Sequence, residues 1–173
     1  METINFREYL RQGQINEIIK EPATVEWKHG FGKGTGRFNI NDELYEIEFD
    51  EVDTKNKTIR GMKFFRIIKN TRVTRYTESK EPFAVVNTIK EQVEKYIKTV
   101  NPDIFGFMGT LDEPARLRHY QRMLMNLETK FKEYKTSFTT DNGGERIYVL
   151  SKLISTEETL DNLKELRAEL GKD

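Results

Sequence analysis

Phe83-Ala84-Val85-Val86-Asn87-Thr88-Ile89-Lys90-Glu91 opens the segment whose reading decides the fold, the run from Phe83 to Lys152. Phe83-Ala84-Val85-Val86 is short, apolar and partly β-branched, and Glu81-Pro82 bounds it, a pattern that predicts a buried strand. Thr88 and Glu91 have capping-box spacing, so a helix is expected from there along the stripe Ile89, Val93, Tyr96 and Val100. Asn101-Pro102 ends it, because proline restricts the residue before it and has no N–H to donate. Asp103 to Gly109 predicts a second apolar strand. Asp112-Glu113-Pro114 then opens a second helix whose apolar face is Leu117, Tyr120, Leu124, Leu127 and Phe131. Alternating strands, Tyr134 to Thr140 and Glu145 to Lys152, flank Asp141-Asn142-Gly143-Gly144, residues that tolerate the positive φ of a hairpin turn. A strand joined through a helix to a neighbouring strand implies a crossover, and the terminal hairpin an antiparallel closure.

Upstream, the pattern is an antiparallel meander. Thr24 to His29 alternates, with Val25 and Trp27 on one side, and His29 to Arg37 carries glycine at positions 30, 32, 34 and 36. That run lacks the strand-loop-helix context of a phosphate loop, because Arg37 to Ile40 continues as a strand; it reads as a bulged hairpin with one bare face. Turns at Asn41-Asp42, at Asp53 to Lys57 and at Asn70-Thr71 separate strands at Leu44 to Phe49, Thr58 to Ile68 and Arg72 to Thr77. Lys63, Arg66, Lys69, Arg72 and Arg75 interleave with Phe64, Phe65 and Tyr76, the composition of a nucleic-acid surface. The acidic Glu43 to Asp53 beside them favours a solvated sheet face instead, so nucleic acid is not the favoured partner.

The bulk numbers narrow the classes. One domain is expected over 1–173, as an N-terminal segment at 1–21, an α/β core at 22–152 and a C-terminal helix at 153–173. The 29 basic and 29 acidic residues cancel, which removes any global attraction to nucleic acid or anionic membrane. No apolar run approaches the roughly 18 residues of a membrane span, so no membrane partner is expected. Cysteine is absent, which excludes disulfides and thiolate chemistry; with His29 and His119 the only histidines, no metal centre is expected either. Ser155 and Glu158 form a capping pair ahead of Leu160, Leu163, Leu166 or Arg167, and Leu170, which predicts a final helix ended by Gly171 and packed on the outer edge or on a partner.

Thr3 to Lys20 reads as an amphipathic helix docked on the sheet. Asn5-Phe6-Arg7-Glu8-Tyr9-Leu10, with Ile15-Asn16-Glu17 and Ile19-Lys20-Glu21, also resembles the packaging leader of internal head proteins of large tailed phages. The resemblance implies cleavage after Glu17 or Glu21, packaging in a virion and delivery to the cytoplasm of a host cell.

The order of elements resembles that of GNAT N-acetyltransferases, an α+β fold with a mixed, mostly antiparallel twisted sheet and helices packed on it. Pro102-Asp103-Ile104-Phe105-Gly106-Phe107 is similar to the strand before that family's last core helix. Ala115, Leu117 and Tyr120 resemble its alanine-rich helix with a Leu-Tyr pair, and Arg146-Ile147-Tyr148-Val149-Leu150 its closing strand. The resemblance implies acetyl-CoA as cofactor, with Tyr120 the general acid and Val86, Asn87 and Thr88 in the place of the diphosphate loop; His119, in the basic flank of the same helix, is a candidate base on its own chemistry. This chain departs there, because no glycine occurs between Gly61 and Gly106. The expectation is therefore a remodelled acetyltransferase-like protein that needs no cofactor and binds a host or phage protein. Arg116, Arg118, His119 and Arg122 form its expected contact patch. The alternative is a divergent acetyl-CoA-dependent N-acetyltransferase, and the third reading a nucleic-acid binder.

Overall fold

The computed structural model describes residues 21–54, 57–73, 81–110, 114–140 and 145–152. They form an α+β fold, a mostly antiparallel open sheet with two helices packed on it. The strands are β1 (Glu26–Trp27), β2 (Thr35–Ile40), β3 (Glu43–Thr54), β4 (Lys57–Ile68), β5 (Thr71–Val73), β6 (Ile104–Thr110), β7 (Tyr134–Thr140) and β8 (Glu145–Lys152). The helices are α1 (Pro82–Val100) and α2 (Pro114–Lys130). The sheet runs β1-β2-β3-β4-β6-β8-β7, so β7 is an edge strand.

β1 to β4 are the expected meander, with Trp27 opposite Gly36, Phe38 opposite Tyr45 and Ile47 opposite Phe64. β4 carries β3 along one edge. Its other edge is shared between β6, parallel from Ile59 to Met62, and β5, antiparallel from Arg66 to Ile68.

Two linked expectations are overturned, the strand at Phe83 to Val86 and the capped helix start at Thr88 and Glu91. Phe83-Ala84-Val85-Val86 is not a strand but the first turn and a half of α1, with Pro82 as an early helical residue. Pro82 bounds a strand and starts a helix equally well, since its missing N–H is one that a helix leaves unbonded at this end. Val85, Ile89, Val93 and Tyr96 continue one buried stripe, and tertiary packing of that stripe settles the choice. The parallel crossover therefore leaves from β4, through β5 and α1, to β6. Helix α1 stops where expected: Asn101 takes the left-handed conformation (φ 51°) and its N–H bonds the carbonyl of Ile97 at 2.8 Å.

Both helices cover one face of the sheet. Tyr96 of α1 stacks on Phe49 of β3 at 3.8 Å, and Tyr120 of α2 meets Phe107 of β6 edge-on at 4.5 Å. Around these rings lies the larger core, with Tyr45, Ile47, Phe105, Leu127, Tyr134 and Leu150 fully buried. The expected N-terminal and C-terminal helices, and the turn at Asp141 to Gly144, lie outside the described residues.

Candidate functional groove between the second helix and the edge strand

Helix α2 buries Leu117, Tyr120, Met123, Leu124 and Leu127 against the sheet. That stripe leaves Gln121, Met125 and Glu128 on the flank that looks towards β7, at spacings of four and three, and Lys132 follows in the turn after the helix. A short link joins helix to strand: Phe131 N–H bonds Leu127 O at 2.7 Å, and Tyr134 N–H bonds Phe131 O at 3.1 Å. Tyr134 is buried under the helix, so by strand alternation Thr136 and Phe138 point to the same side. Helix α2 reaches Thr136 through Glu128 but leaves Phe138 uncovered. What remains is a groove of about 590 Å³, lined among others by Gln121, Met125, Glu128, Lys132, Thr136 and Phe138.

Its lips are apolar and cationic. Met125 is 58% exposed and Phe138 56%, the largest such values among the large apolar side chains described. Arg146 lies over the Phe138 ring at 4.8 Å. Lys132 and Lys135 rim one end, Lys135 within 3.3 Å of Glu128. Glu128 in turn accepts from the Thr136 hydroxyl (2.6 Å) and N–H (2.9 Å), and these bonds hold its carboxyl below the usual carboxylate range.

The expected site residues fall elsewhere or take other roles. Tyr120 is 6% exposed, in a ring cluster with Phe107 and Tyr148. His119 is half-buried and edge-on to Phe83 of α1, with centroids 5.8 Å apart. Burial, reinforced by Arg122 and Arg118, lowers its pKa to about 4, which makes it a neutral packing residue at physiological pH. Arg118 is exposed and Arg122 partly so, and with Met125 they continue one line along α2 into the groove; the Arg116 side chain lies outside the described residues.

Val86, Asn87 and Thr88 form no loop. They lie in the second turn of α1, where backbone amides bond carbonyls one turn earlier, and Val86 and Thr88 are buried. The Thr88 hydroxyl donates to Ala84 O (2.7 Å) and accepts from Ala23 N–H (2.8 Å). Glu21 is exposed, and Glu17 lies outside the described residues.

Three of the basic residues on β4 and β5 are paired with acidic residues of β3. Arg66 reaches Glu43 at 2.5 Å, Lys63 lies 3.7 Å from Asp50, and Arg72 pairs with Glu46 and Glu48 while covering the Phe65 ring. Phe64 is buried in the core, and Arg75 and Tyr76 lie outside the described residues. Among the described residues no three His, Asp or Glu side chains cluster as metal ligands, and no helix is long and apolar enough to cross a membrane.

Sequence reasoning did not find Met125 or Phe138. Met125 alone carried a signal, a large apolar residue on the wet flank of its helix. No protein-family model matches the chain, and no curated protein matches it.

Proposed function

We propose that the protein acts by binding a protein partner in the groove between α2 and β7, as a phage accessory or virion protein on an acetyltransferase-like scaffold. The observation that carries this reading is the convergence of two largely exposed apolar side chains, Met125 and Phe138, from different elements on one groove rimmed by lysine. Apolar anchors surrounded by charge are the usual anatomy of a protein-binding surface. Lys132, Lys135, Arg118 and Arg122 against Glu128 favour an acidic segment that offers a large apolar side chain. The leader-like Asn5 to Glu21 is the support for a virion origin, and intact mass of protein from its native source tests it through loss of residues up to Glu17 or Glu21.

The binding test compares partner sets. Proteins retained by the native chain should be lost from Met125→Glu with Phe138→Glu and weakened by Arg118→Glu with Arg122→Glu. Retention of the same partners by both pairs would remove the groove from consideration.

Acetyl transfer is the second reading, and one feature favours it. β4 and β6 pair only up to Met62 and Phe107, after which β6 faces no strand on that side among the described residues, and Tyr120 packs on Phe107. A ligand amide could pair with that free strand edge. Thermal-shift titration with acetyl-CoA decides: a ligand specific to the native state adds about 2.7 kcal/mol at 100 times its dissociation constant, and no shift at millimolar ligand ends this reading.

A further inference from the structure

Strand β7 pairs with β8 along one edge, and among the described residues no strand lies along the other. Hydrogen bonds at its inner end show which backbone groups face outwards. Tyr134 N–H bonds Phe131 O and Thr136 N–H bonds the Glu128 carboxylate, so neither turns to β8. Lys152 N–H bonds Asp103 O on the β6 side, so Ser151, Val149 and Ile147 turn to β7, opposite Lys135, Ser137 and Thr139. In an antiparallel ladder the N–H and C=O of one residue point to the same side, and the side alternates along the strand. Phe138 and Thr140 therefore aim both groups away from the sheet.

This edge is guarded at one end only. Glu128 fills the Thr136 amide and Lys135 stands beside it, both devices that keep a strand edge from pairing. Phe138 lies past them, largely exposed, with its side chain on the helix side, where Met125 is exposed as well. A strand added there would set the side chain opposite Phe138 on the same face, about 5 Å away, and so into the groove.

We propose, on the reading of the groove as a binding surface, that its partner is an extended acidic segment of another protein that adds a strand to β7 at Phe138. A large apolar residue of that segment stands opposite Phe138, and its acidic residues lie towards Lys132 and Lys135. Main-chain bonds to Phe138 and Thr140 supply affinity, and the pocket beside Met125 supplies selectivity. Charge chooses the occupant. Lysines rim one end of the groove and Arg146 lies over the Phe138 ring. A second copy of this chain would bring Tyr134-Lys135-Thr136-Ser137-Phe138-Thr139-Thr140, a strand with a lysine and no acid.

The probe is a short fluorescent peptide that alternates glutamate with apolar residues around a central phenylalanine, titrated against the full chain. At saturation, exchange of the Phe138 amide should slow by more than roughly tenfold, while Ser137, whose N–H already faces β8, should change little. Two isomers N-methylated on alternate residues, in opposite phase, should part. One keeps the affinity of the unmodified peptide, and the other binds at least roughly tenfold more weakly, because only one set of amides faces β7. Isomers that bind alike or are lost alike, an unchanged Phe138 amide at saturation, or no binding at millimolar peptide overturns the strand addition. So does a dimer of the free chain that Phe138→Glu dissociates, which would give the edge to a second copy. Met125→Glu with Phe138→Glu keeps this proposal distinct from the groove itself. If that pair releases the peptide while the isomers bind alike, the groove binds without strand pairing; if peptide binding ignores the pair, the groove falls too.

Discussion

The carboxylate of Glu128, in the last turn of α2, is bound by both the hydroxyl and the backbone N–H of Thr136 on β7, at 2.6 and 2.9 Å. The pair fixes the helix against the edge strand, floors the groove, and occupies an amide that an edge strand would otherwise offer to another chain. Glu128→Ala should cost about 1 kcal/mol, a charge-assisted bond discounted for exposure, measured by urea unfolding. The carboxyl is held below its ordinary value of 4.5, so its contribution is complete above that pH and is lost as pH falls through the lower, native value. Glu128→Gln should therefore be less stable than the native chain at neutral pH, with the difference shrinking in acid. A gap that does not change with pH would show that the charge is irrelevant.

His119 makes a pH prediction of the same sign in a higher window, because its native pKa is depressed too. Burial, then Arg122 and Arg118, bring it from 6.5 to about 4. Between those values the unfolded chain binds the extra proton, so stability is unaffected above pH 6.5 and falls on acidification until about pH 4. The full loss is roughly 3 kcal/mol. An NMR titration should find the His119 ring neutral down to pH 5, and His119→Gln should flatten the acid limb of a stability profile. A His119 midpoint near 6.5 would mean the ring is solvated and its contact with Phe83 is not maintained.

Most of the sheet was legible because its strands alternate, and alternation is a strictly local signal. The hairpin β7-β8 and the stripe of α2 are local in the same sense, with turn residues and spacing written side by side. Phe83 to Val86 failed because four apolar residues after a proline fit a buried strand and a helical first turn alike; the stripe through Tyr96 was the better guide. The groove was illegible for a different reason. Met125 and Phe138 sit on separate elements, and only the closure of β8 onto β6, which puts β7 at the edge under the flank of α2, brings them together.

Gly36 is fixed by the indole it faces. A Cβ there would come within 2.8 Å of the Trp27 ring, its cross-strand partner, which stacks on Phe49 at 5.5 Å and donates from Nε1 to Gln92 at 3.2 Å. Gly36→Ala must move the ring, so about 1–3 kcal/mol of stability should go with a shift in emission from the single tryptophan. Gly30 is the contrasting case: nothing lies within 4 Å of its added Cβ, but its φ is +88°. Gly30→Ala should cost about 1–2 kcal/mol through backbone strain with emission unchanged. Matching emission changes in the two variants would mean that the indole contact does not govern Gly36.

Thr88 separates a structural role from a ligand-binding one at the position where the diphosphate loop was expected. Its hydroxyl is fully buried and links the incoming chain at Ala23 to Ala84 in the helix. Thr88→Val keeps the shape but leaves the Ala23 N–H without its acceptor, a loss of about 1–3 kcal/mol. Thr88→Ser keeps both bonds and removes one methyl group, so it should cost only about 0.8 kcal/mol. Hydrogen exchange at the Ala23 amide should quicken in the valine variant and stay slow in the serine variant. If the valine variant were as stable as the native chain but had lost a thermal shift with acetyl-CoA, Thr88 would belong to a cofactor site, and the binding-protein reading would give way to the enzyme.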